Sequence, residues 1–368
     1  MPLTFKKFEF EILAIYDLPP YSCLQSKMLL VCFAFTFFFH ACNMESEKII
    51  ETQFVQLNKT KIIFLNSSDG FDYLKDSPFI EGLSLMDISV RMNHDFTNSN
   101  LDTARGAHLK FLENEVLNWT KPEIDRLMKF IELVIPDIQS ETPQILQDSL
   151  FFIKTSGQEE FNAFYTCKKA IVFPKSWSSK NNQNKHKSFF FTRVLYHELF
   201  HIFTRNNFKK HQKLYEIVGF HPQKYAIPEP LKKRLITNPD FADLDFLIDL
   251  ETKNGENIRA TILTYNKLKT FDSSAKFSDI IGFGLFPVEL YEGNWKVAQW
   301  NGKLQPIPIE TFKDFYPQVG QFTDYYLGPE EILADGYSMK MVDKHFENLK
   351  NSPPEDLAIL DKLMKLLK

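Results

Sequence analysis

Tyr196-His197-Glu198-Leu199-Phe200-His201, YHELFH in one-letter code, places two histidines four residues apart with a glutamate directly after the first. The stretch lies in SFFFTRVLYHELFHIFTRNN, where apolar residues recur at helical spacing, so we expect a helix over about 188–206. Residues four apart on a helix lie on the same face, one turn apart. The spacing therefore lets His197 and His201 direct ring nitrogens to a single point.

A pair of histidines arranged in this way suits Zn²⁺, which takes neutral imidazole at about 2.0 to 2.1 Å in a tetrahedral shell. Glu198 lies next round the helix, where its carboxylate can reach a water held by the metal. We therefore predict Zn²⁺ as the cofactor, His197 and His201 as ligands, and Glu198 as the general base of a hydrolytic reaction. The alternative is a core helix whose histidines are satisfied by hydrogen bonds.

A catalytic zinc site needs a third protein ligand. The pattern His-Glu-x-x-His-x-x-Gly-x-x-His fails, because Thr204 stands at the glycine position and Asn207 at the third histidine position, which disfavours the metzincin arrangement. A purely structural zinc site is also disfavoured. Such sites close with a fourth protein ligand, often cysteine, and Cys167 is the only candidate after the N-terminal region. We expect Cys167 to be a small core residue instead.

The segment LGPEEILADGYSM (327–339) offers a third ligand on a second predicted helix, over about 329–343. Glu331 and Asp335 are four residues apart there and so share one face. The competing interpretation is that acids after a proline simply suit the start of a helix. Glu330 is the alternative ligand, but its offset of five residues from Asp335 turns the two side chains away from a common face.

Taken together, the two motifs resemble those of the gluzincin zinc metallopeptidases, in which a Glu-x-x-x-Asp helix supplies the third ligand. The resemblance implies that Glu331 is that ligand and that Asp335 orients the ring of His197 from outside the metal shell. It also implies a zincin-like α+β fold, with a mixed sheet and a helical active-site core. The Gly-x-Met-Glu-Asn strand of the aminopeptidases in that group is absent from the sequence, which disfavours exopeptidase action but leaves it open.

Peptide hydrolysis also needs a donor for the oxyanion that forms at the substrate carbonyl. Gluzincins usually use a tyrosine or histidine, and the candidates in this sequence are Tyr325, Tyr326 and His221. We further expect the strand AIVFP (170–174), just before the motif helix, to be the sheet edge that receives an extended substrate by strand addition.

The rest of the chain predicts a mixed architecture of helices and short strands. Apolar residues at helical spacing predict helices over 101–119, 121–138 and 353–367, and short apolar runs predict strands over 149–156, 168–174, 258–265 and 284–291. This order of elements favours the α+β class. The net charge of -4 gives no electrostatic footprint for nucleic acid, so we exclude that class of partner.

The N-terminus has the features of an export signal. MLLVCFAFTFFFHA (28–41) is too short to span a bilayer and has the size of a signal-peptide core. Ala41-Cys42 after it resembles the lipobox of bacterial lipoproteins, although Phe39 and His40 depart from the usual residues. We predict a signal region 1–41, with Met28 as an alternative start, lipidation of Cys42, a tether 42–57 and a catalytic domain 58–368. The protein would be lipid-anchored to the cell envelope, at the outer membrane or surface, or alternatively secreted.

The leading hypothesis is thus an exported zinc metallopeptidase that hydrolyses peptide bonds of peptide or protein substrates. The alternative is a catalytically silent zincin-fold lipoprotein that acts as a binding or scaffold protein. Glu198 distinguishes the two, because a chain without activity could lose its general base freely, and the base is present.

Overall fold

The computed structural model describes residues 51–178, 185–241 and 245–368. These residues fall in one compact unit. The predicted signal region 1–41 and Cys42 lie outside the described residues. Among the described helices, none is both long and apolar enough to cross a membrane.

The described chain forms two sheets and a set of helices, which confirms the predicted α+β class. The strands are β1 (Gln53–Leu57), β2 (Thr60–Phe64), β3 (Val116–Leu117), β4 (Ser149–Thr155), β5 (Tyr165–Cys167), β6 (Ala170–Pro174), β7 (Phe220–Pro222), β8 (Phe246–Glu251), β9 (Asn257–Asn266), β10 (Ile281–Tyr291) and β11 (Asn294–Val297). The helices are α1 (Ser67–Lys75), α2 (Pro78–Gly82), α3 (Leu85–Met92), α4 (Leu101–Glu115), α5 (Lys121–Glu141), α6 (Lys185–Asn206), α7 (Phe208–Tyr215), α8 (Glu229–Lys232), α9 (Phe277–Ile280), α10 (Phe315–Val319), α11 (Pro329–Phe346) and α12 (Pro354–Leu367).

The first sheet is mixed, with strand order β1-β2-β4-β6-β5 and β3 paired to the far end of β4. Strands β2, β4 and β6 run parallel, whereas β1 and β5 are antiparallel to their neighbours. Successive side chains of a strand point to opposite faces. Leu150 and Phe152 of β4 accordingly pack into the core that holds α5 and α6, while Ile153 packs on the other face with α1, α3 and α4. Helices on both faces explain why these strands are almost continuously apolar.

The second sheet is an antiparallel meander, β11-β10-β9-β8-β7. One face, with Ile248, Ala260 and Ile262, joins the main core, and the opposite face, with Leu247 and Leu263, covers a smaller core around α8. The predicted strands 258–265 and 284–291 fall within β9 and β10.

Many of the aromatic residues form one connected set of ring contacts between the first sheet and its helices. Trp119 contacts Phe64, Phe173 and Trp177 at centroid distances of 5.6, 6.0 and 6.1 Å. Phe191 of α6 continues the set, with its ring 5.7 Å from that of Trp177. Edge-to-face pairs of this kind add to the stabilisation from burial. The aromatic bias therefore serves to fix α6 against the sheet.

Two sequence predictions are wrong in the fold. The tether does not extend to residue 57, because Gln53–Leu57 form β1, which pairs with β2 through a turn at Asn58 (φ 55°). The strand 170–174 is not a sheet edge, because β6 lies between β4 and β5. The edge on this side of the sheet is β5, a strand of three residues that was not predicted from the sequence. Its last residue, Cys167, is buried in the core, and burial raises the pKa of its thiol.

Candidate metal centre

Two packed helices, α6 and α11, carry the residues of both motifs. Tyr337 of α11 packs edge-on against Tyr196, with ring centroids 6.2 Å apart, and lies 5.6 Å from the ring of Phe200. All three rings are fully buried. Because Tyr196 flanks His197 and Phe200 flanks His201, these contacts set the two histidines opposite the first turns of α11.

The structure brings His197, His201 and Glu331 together at one point. The two Nε2 atoms are 2.9 Å apart. Oε2 of Glu331 lies 3.2 Å from Nε2 of His197 and 3.5 Å from Nε2 of His201. Three potential ligand atoms from two helices thus form a small triangle.

The outer nitrogen of each ring faces a carboxylate. Nδ1 of His197 lies 3.0 Å from Oδ1 of Asp335, and Nδ1 of His201 lies 2.8 Å from Oε1 of Glu330. When each Nδ1 carries the proton and donates it to its carboxylate, both Nε2 atoms are left as bare acceptors. Two nitrogen lone pairs and a carboxylate oxygen then converge on the same space.

Asp335 is itself held in place from two sides. The guanidinium of Arg193 lies 2.7 Å from its Oδ1, and Thr323 donates a hydrogen bond to its Oδ2. Although burial opposes ionisation, Arg193 and His197 keep the pKa of Asp335 well below its usual range. The aspartate is therefore a charged and fixed acceptor for the ring of His197, which is the position that the family resemblance implies.

Glu330 is not placed to be a metal ligand. Its Oε1 faces Nδ1 of His201 and also accepts a hydrogen bond from Thr204, while its Oε2 accepts one from Tyr215 at 2.6 Å. The side chain thus lies on the outer side of the His201 ring, away from Nε2. Glu330 orients His201 as Asp335 orients His197. No pattern in the sequence marks this role, because Tyr215 and Thr204, which hold Glu330, come from elsewhere in the chain.

The donor set fits a tetrahedral Zn²⁺ ion. Bonds of about 2.0 to 2.1 Å at tetrahedral angles separate neighbouring ligand atoms by roughly 3.3 Å. The three observed separations, 2.9, 3.2 and 3.5 Å, bracket that value. Each of His197 and His201 also has the carboxylate partner at Nδ1 that metal-binding histidines usually have.

The same crowding of charge shifts the pKa values of both histidines. Burial disfavours the charged rings, but Asp335 and Glu331 raise the pKa of His197 to about 9. Glu331, Asp240 and Glu330 raise the pKa of His201 well above its usual range. Conversely, despite burial, the two histidines hold the pKa of Glu331 far below its usual range. The cluster therefore attracts positive charge.

Glu198 lies beside this cluster, as the motif requires. Its side chain is buried, with the residue 4% exposed, and its Oε2 makes no hydrogen bond to any described residue. Burial and the nearby carboxylate of Asp240 raise the pKa of Glu198 to about 8. A buried carboxylate oxygen without a partner is costly. This oxygen is therefore available to accept a hydrogen bond from a water or a substrate atom.

Two residues of the centre were missed in the sequence, Asn238 and Asp240. The Asn238 amide donates to Oε1 of Glu331 at 2.5 Å. A carboxylate oxygen of Asp240 lies within 4.8 Å of the nearest ligand atoms of Glu198 and His201. Both residues come from the loop between α8 and β8, where no regular spacing marks a functional position.

The three candidate oxyanion donors are placed differently. Tyr325 is near the centre: although its side chain is 36% exposed, burial around its hydroxyl and the charges of Glu331 and Asp240 raise its pKa well above the usual range. It therefore stays protonated as a donor. Tyr326 is wrong for this role, because its hydroxyl donates to the carbonyl of Gly320 and its ring packs on Phe315.

His221 is also wrong for the role of oxyanion donor. It lies on β7, where it pairs with Leu247 of the second sheet. Its Nε2 faces Asp249, 4.0 Å away, and that carboxylate belongs to the sheet and not to the metal centre. Its imidazole is therefore turned toward the sheet surface.

Comparison with protein-family models, with curated proteins and with solved structures finds no match for this chain.

Proposed function

We propose that the protein is a zinc-dependent metallopeptidase of zincin-like fold. The observation that carries the proposal is the convergence of Nε2 of His197, Nε2 of His201 and Oε2 of Glu331 within 3.5 Å of one another. Three acceptors so close together repel one another unless a cation or protons lie between them. The carboxylates on both Nδ1 atoms support the metal alternative, because they leave the inner nitrogens free.

Each residue has a role that follows from its position. Zn²⁺, when bound, supplies a water of pKa about 7 and a Lewis acid for the substrate carbonyl. Glu198 takes the proton from the attacking water and delivers it to the leaving amine. Tyr325 donates a hydrogen bond to the oxyanion.

The test is zinc content and peptide hydrolysis of the full chain, compared with Glu198→Gln. The wild type should hold one zinc per chain and cleave members of a broad peptide library. The variant should hold zinc equally well and lose cleavage by at least about a hundredfold, since general base catalysis contributes about 10²–10⁴. A wild type without stoichiometric zinc would refute the proposal.

One observation favours the second candidate, a binding protein without peptidase activity. The β5 edge of the first sheet is covered, since the backbone N–H of Thr166 already donates to Asp240. If the wild type holds zinc and cleaves no member of the library, this second function gains over the first.

Export and lipid anchoring through Cys42 remain part of the proposal, supported by the sequence of 28–42. Metabolic labelling with a radioactive fatty acid should mark the wild type and not Cys42→Ser. Equal labelling of the two proteins would remove Cys42 as the anchor.

A further inference from the structure

The edge strand β5 is the natural place for an extended substrate to pair with this protein. A strand at the edge of a sheet presents unpaired N–H and C=O groups, and an added peptide strand binds through them. β5 is antiparallel to β6, and the facing residues are Tyr165 with Val172 and Cys167 with Ala170. Thr166, between them, turns its N–H to the outer edge.

The outer edge of β5 is already occupied by side chains. A carboxylate oxygen of Asp240 accepts from the N–H of Thr166 at 2.8 Å and from its hydroxyl. The carbonyl of Lys168, the first residue after β5, accepts a hydrogen bond from Arg205 at 3.3 Å. Arg205 also lies 3.6 Å from Asp240. An extended chain could pair with β5 only by displacing both side chains.

Asp240 belongs to a segment that is fixed along its whole length. We call Thr237–Phe241 the strap. At its start, Thr237 bonds Asp87 and Arg91 of α3, both buried. In the middle, Asn238 bonds Glu331.

The end of the strap is fixed as well. Pro239 accepts a hydrogen bond from Arg205 at 3.2 Å. The ring of Phe241 is buried against Tyr215 and Phe246. The strap therefore connects α3, the β5 edge and the metal centre. These contacts hold the side chain of Asp240 in place over the outer edge of β5.

We propose that Asp240 is a specificity-determining residue that closes the β5 edge, so that the metal centre accepts short peptides and excludes extended polypeptide chains. A short peptide can reach the centre through contacts with the metal-site side chains alone. A longer chain would gain extra affinity by pairing with a free strand edge. Asp240 prevents that pairing because it occupies the outer edge of β5. The inference rests on the proposed peptidase function and specifies its substrate class.

The test compares two peptides that contain the same cleaved bond, a tripeptide and an unstructured twelve-residue peptide. The quantity measured is the ratio of kcat/KM for the long peptide to that for the short one. Asp240→Ala should raise this ratio by about tenfold, which corresponds to the loss of one competing charge-assisted hydrogen bond. Asp240→Asn keeps an oxygen that accepts from Thr166, so its ratio should stay near that of the wild type.

The Asn variant separates closure of the edge from the charge of Asp240 near the metal. If the Ala and Asn variants change the ratio equally, charge and not edge closure is responsible, and the proposal fails. Arg205→Ala, which frees the Lys168 carbonyl and touches no metal ligand, should raise the ratio in the same direction as Asp240→Ala. Asp249→Ala is the matched control, because Asp249 is also paired with an arginine, Arg259, but on the second sheet. It should leave the ratio unchanged.

Two further measurements do not depend on turnover. Hydrogen exchange at the Thr166 amide should be slow in the wild type and faster in Asp240→Ala, although Asp240→Asn should keep it slow. Calorimetry with zinc-loaded Glu198→Gln should show tighter binding of the twelve-residue peptide once Asp240→Ala is added. Unprotected Thr166 in the wild type, or equal binding, would overturn the inference even if the protein proves to be a zinc peptidase. Absence of zinc would instead defeat the proposed function itself.

Discussion

His201 and Glu330 are joined by a contact of 2.8 Å between Nδ1 and Oε1, and Glu330 is in turn held by Tyr215 and Thr204. This carboxylate fixes the tautomer and the direction of a metal-facing ring. We expect Glu330→Gln to lower zinc affinity by about 10- to 100-fold, which is the usual cost of losing such a partner. Competition with a fluorescent zinc chelator measures the change.

Tyr215→Phe is the matched control for this effect. It removes one hydrogen bond to Glu330 and leaves the contact between Glu330 and His201 intact. Its zinc affinity should fall by less than that of Glu330→Gln. An equal fall in both variants would mean that the hydrogen bond from Tyr215, and not the charge of Glu330, holds the ring.

Glu331→Ala should weaken zinc binding more than Glu330→Gln does, because it removes a ligand and not the support of one. The two histidines would remain, with Asp335 and Glu330 still on their outer nitrogens. The same chelator competition applies, and both variants should melt within a few degrees of each other when zinc is absent. Unchanged zinc affinity in Glu331→Ala would move the third ligand to another residue.

Zinc binding should strengthen as pH rises, up to about pH 9. Asp335 and Glu331, acting against burial, raise the pKa of His197 to about 9 before the metal binds. Below that pH the ring carries a proton that must leave before Nε2 can bind a metal. Calorimetry in two buffers of different ionisation enthalpy at pH 7 should therefore show proton release.

Asp335→Asn supplies the contrast for this pH effect. Without the carboxylate on Nδ1, the pKa of His197 falls, so fewer protons should be released at pH 7. If wild-type binding releases no protons, the histidines are already neutral and the charge balance described for the centre is wrong.

The helices of the centre could be predicted because each is a local pattern. Apolar spacing and an acidic first turn after a proline are written in consecutive residues, so 188–206 and 329–343 lie within α6 and α11. The spacing of His197 and His201 on one helix also implied a shared site, because helical geometry fixes which side chains of a helix face together. The place of Glu331 in that site was implied by the family resemblance.

The rest of the centre depends on contacts between distant parts of the chain. Asp240 reaches the centre only because the strap crosses the edge of a sheet formed by much earlier residues. Glu330 and Glu331 are neighbours in sequence, and only the direction in which α11 packs decides which of them faces Nε2 of His201. The edge position of β5 likewise depends on strand order, which the sequence of 165–174 alone does not reveal.

Glu159 should make the protein less stable above neutral pH. It is 2% exposed, and burial raises its pKa from 4.5 to about 7. The folded state thus holds this proton more tightly than the unfolded state, so its contribution to stability is complete below about pH 4.5 and is lost as pH rises through 7. Glu159→Gln should remove that loss and raise the free energy of unfolding at pH 8 by up to roughly 3 kcal/mol, since one pKa unit corresponds to about 1.4 kcal/mol.

Urea unfolding at pH 5.5 and pH 8 measures this effect, and the neighbouring acid provides the contrast. Glu160 bonds the buried guanidinium of Arg91 at 2.5 and 3.1 Å. Glu160→Gln removes one of the two carboxylates that pair with the buried Arg91, so it should destabilise the protein at both pH values. If Glu159→Gln is no more stable than the wild type at pH 8, Glu159 is solvated or paired in solution.

Gly336 lets α11 approach α12 closely, directly beside Asp335. A Cβ at this position would lie 2.8 Å from Cδ2 of Leu360 and 2.9 Å from Cε2 of Phe322. Gly336→Ala gains up to about 1 kcal/mol of helix propensity but overpacks a site where Leu360 is fully buried, which costs about 1 to 3 kcal/mol. We expect net destabilisation of about 1 kcal/mol and a weaker zinc site, because α11 must move with Asp335 on it.

Gly106→Ala in α4 is the control: an added Cβ meets nothing within 4 Å, so helix propensity alone should make that variant more stable than the wild type. Thermal melts and zinc competition on both variants measure these effects. Equal stabilisation by the two substitutions would show that Leu360 of α12 moves aside without loss of stability.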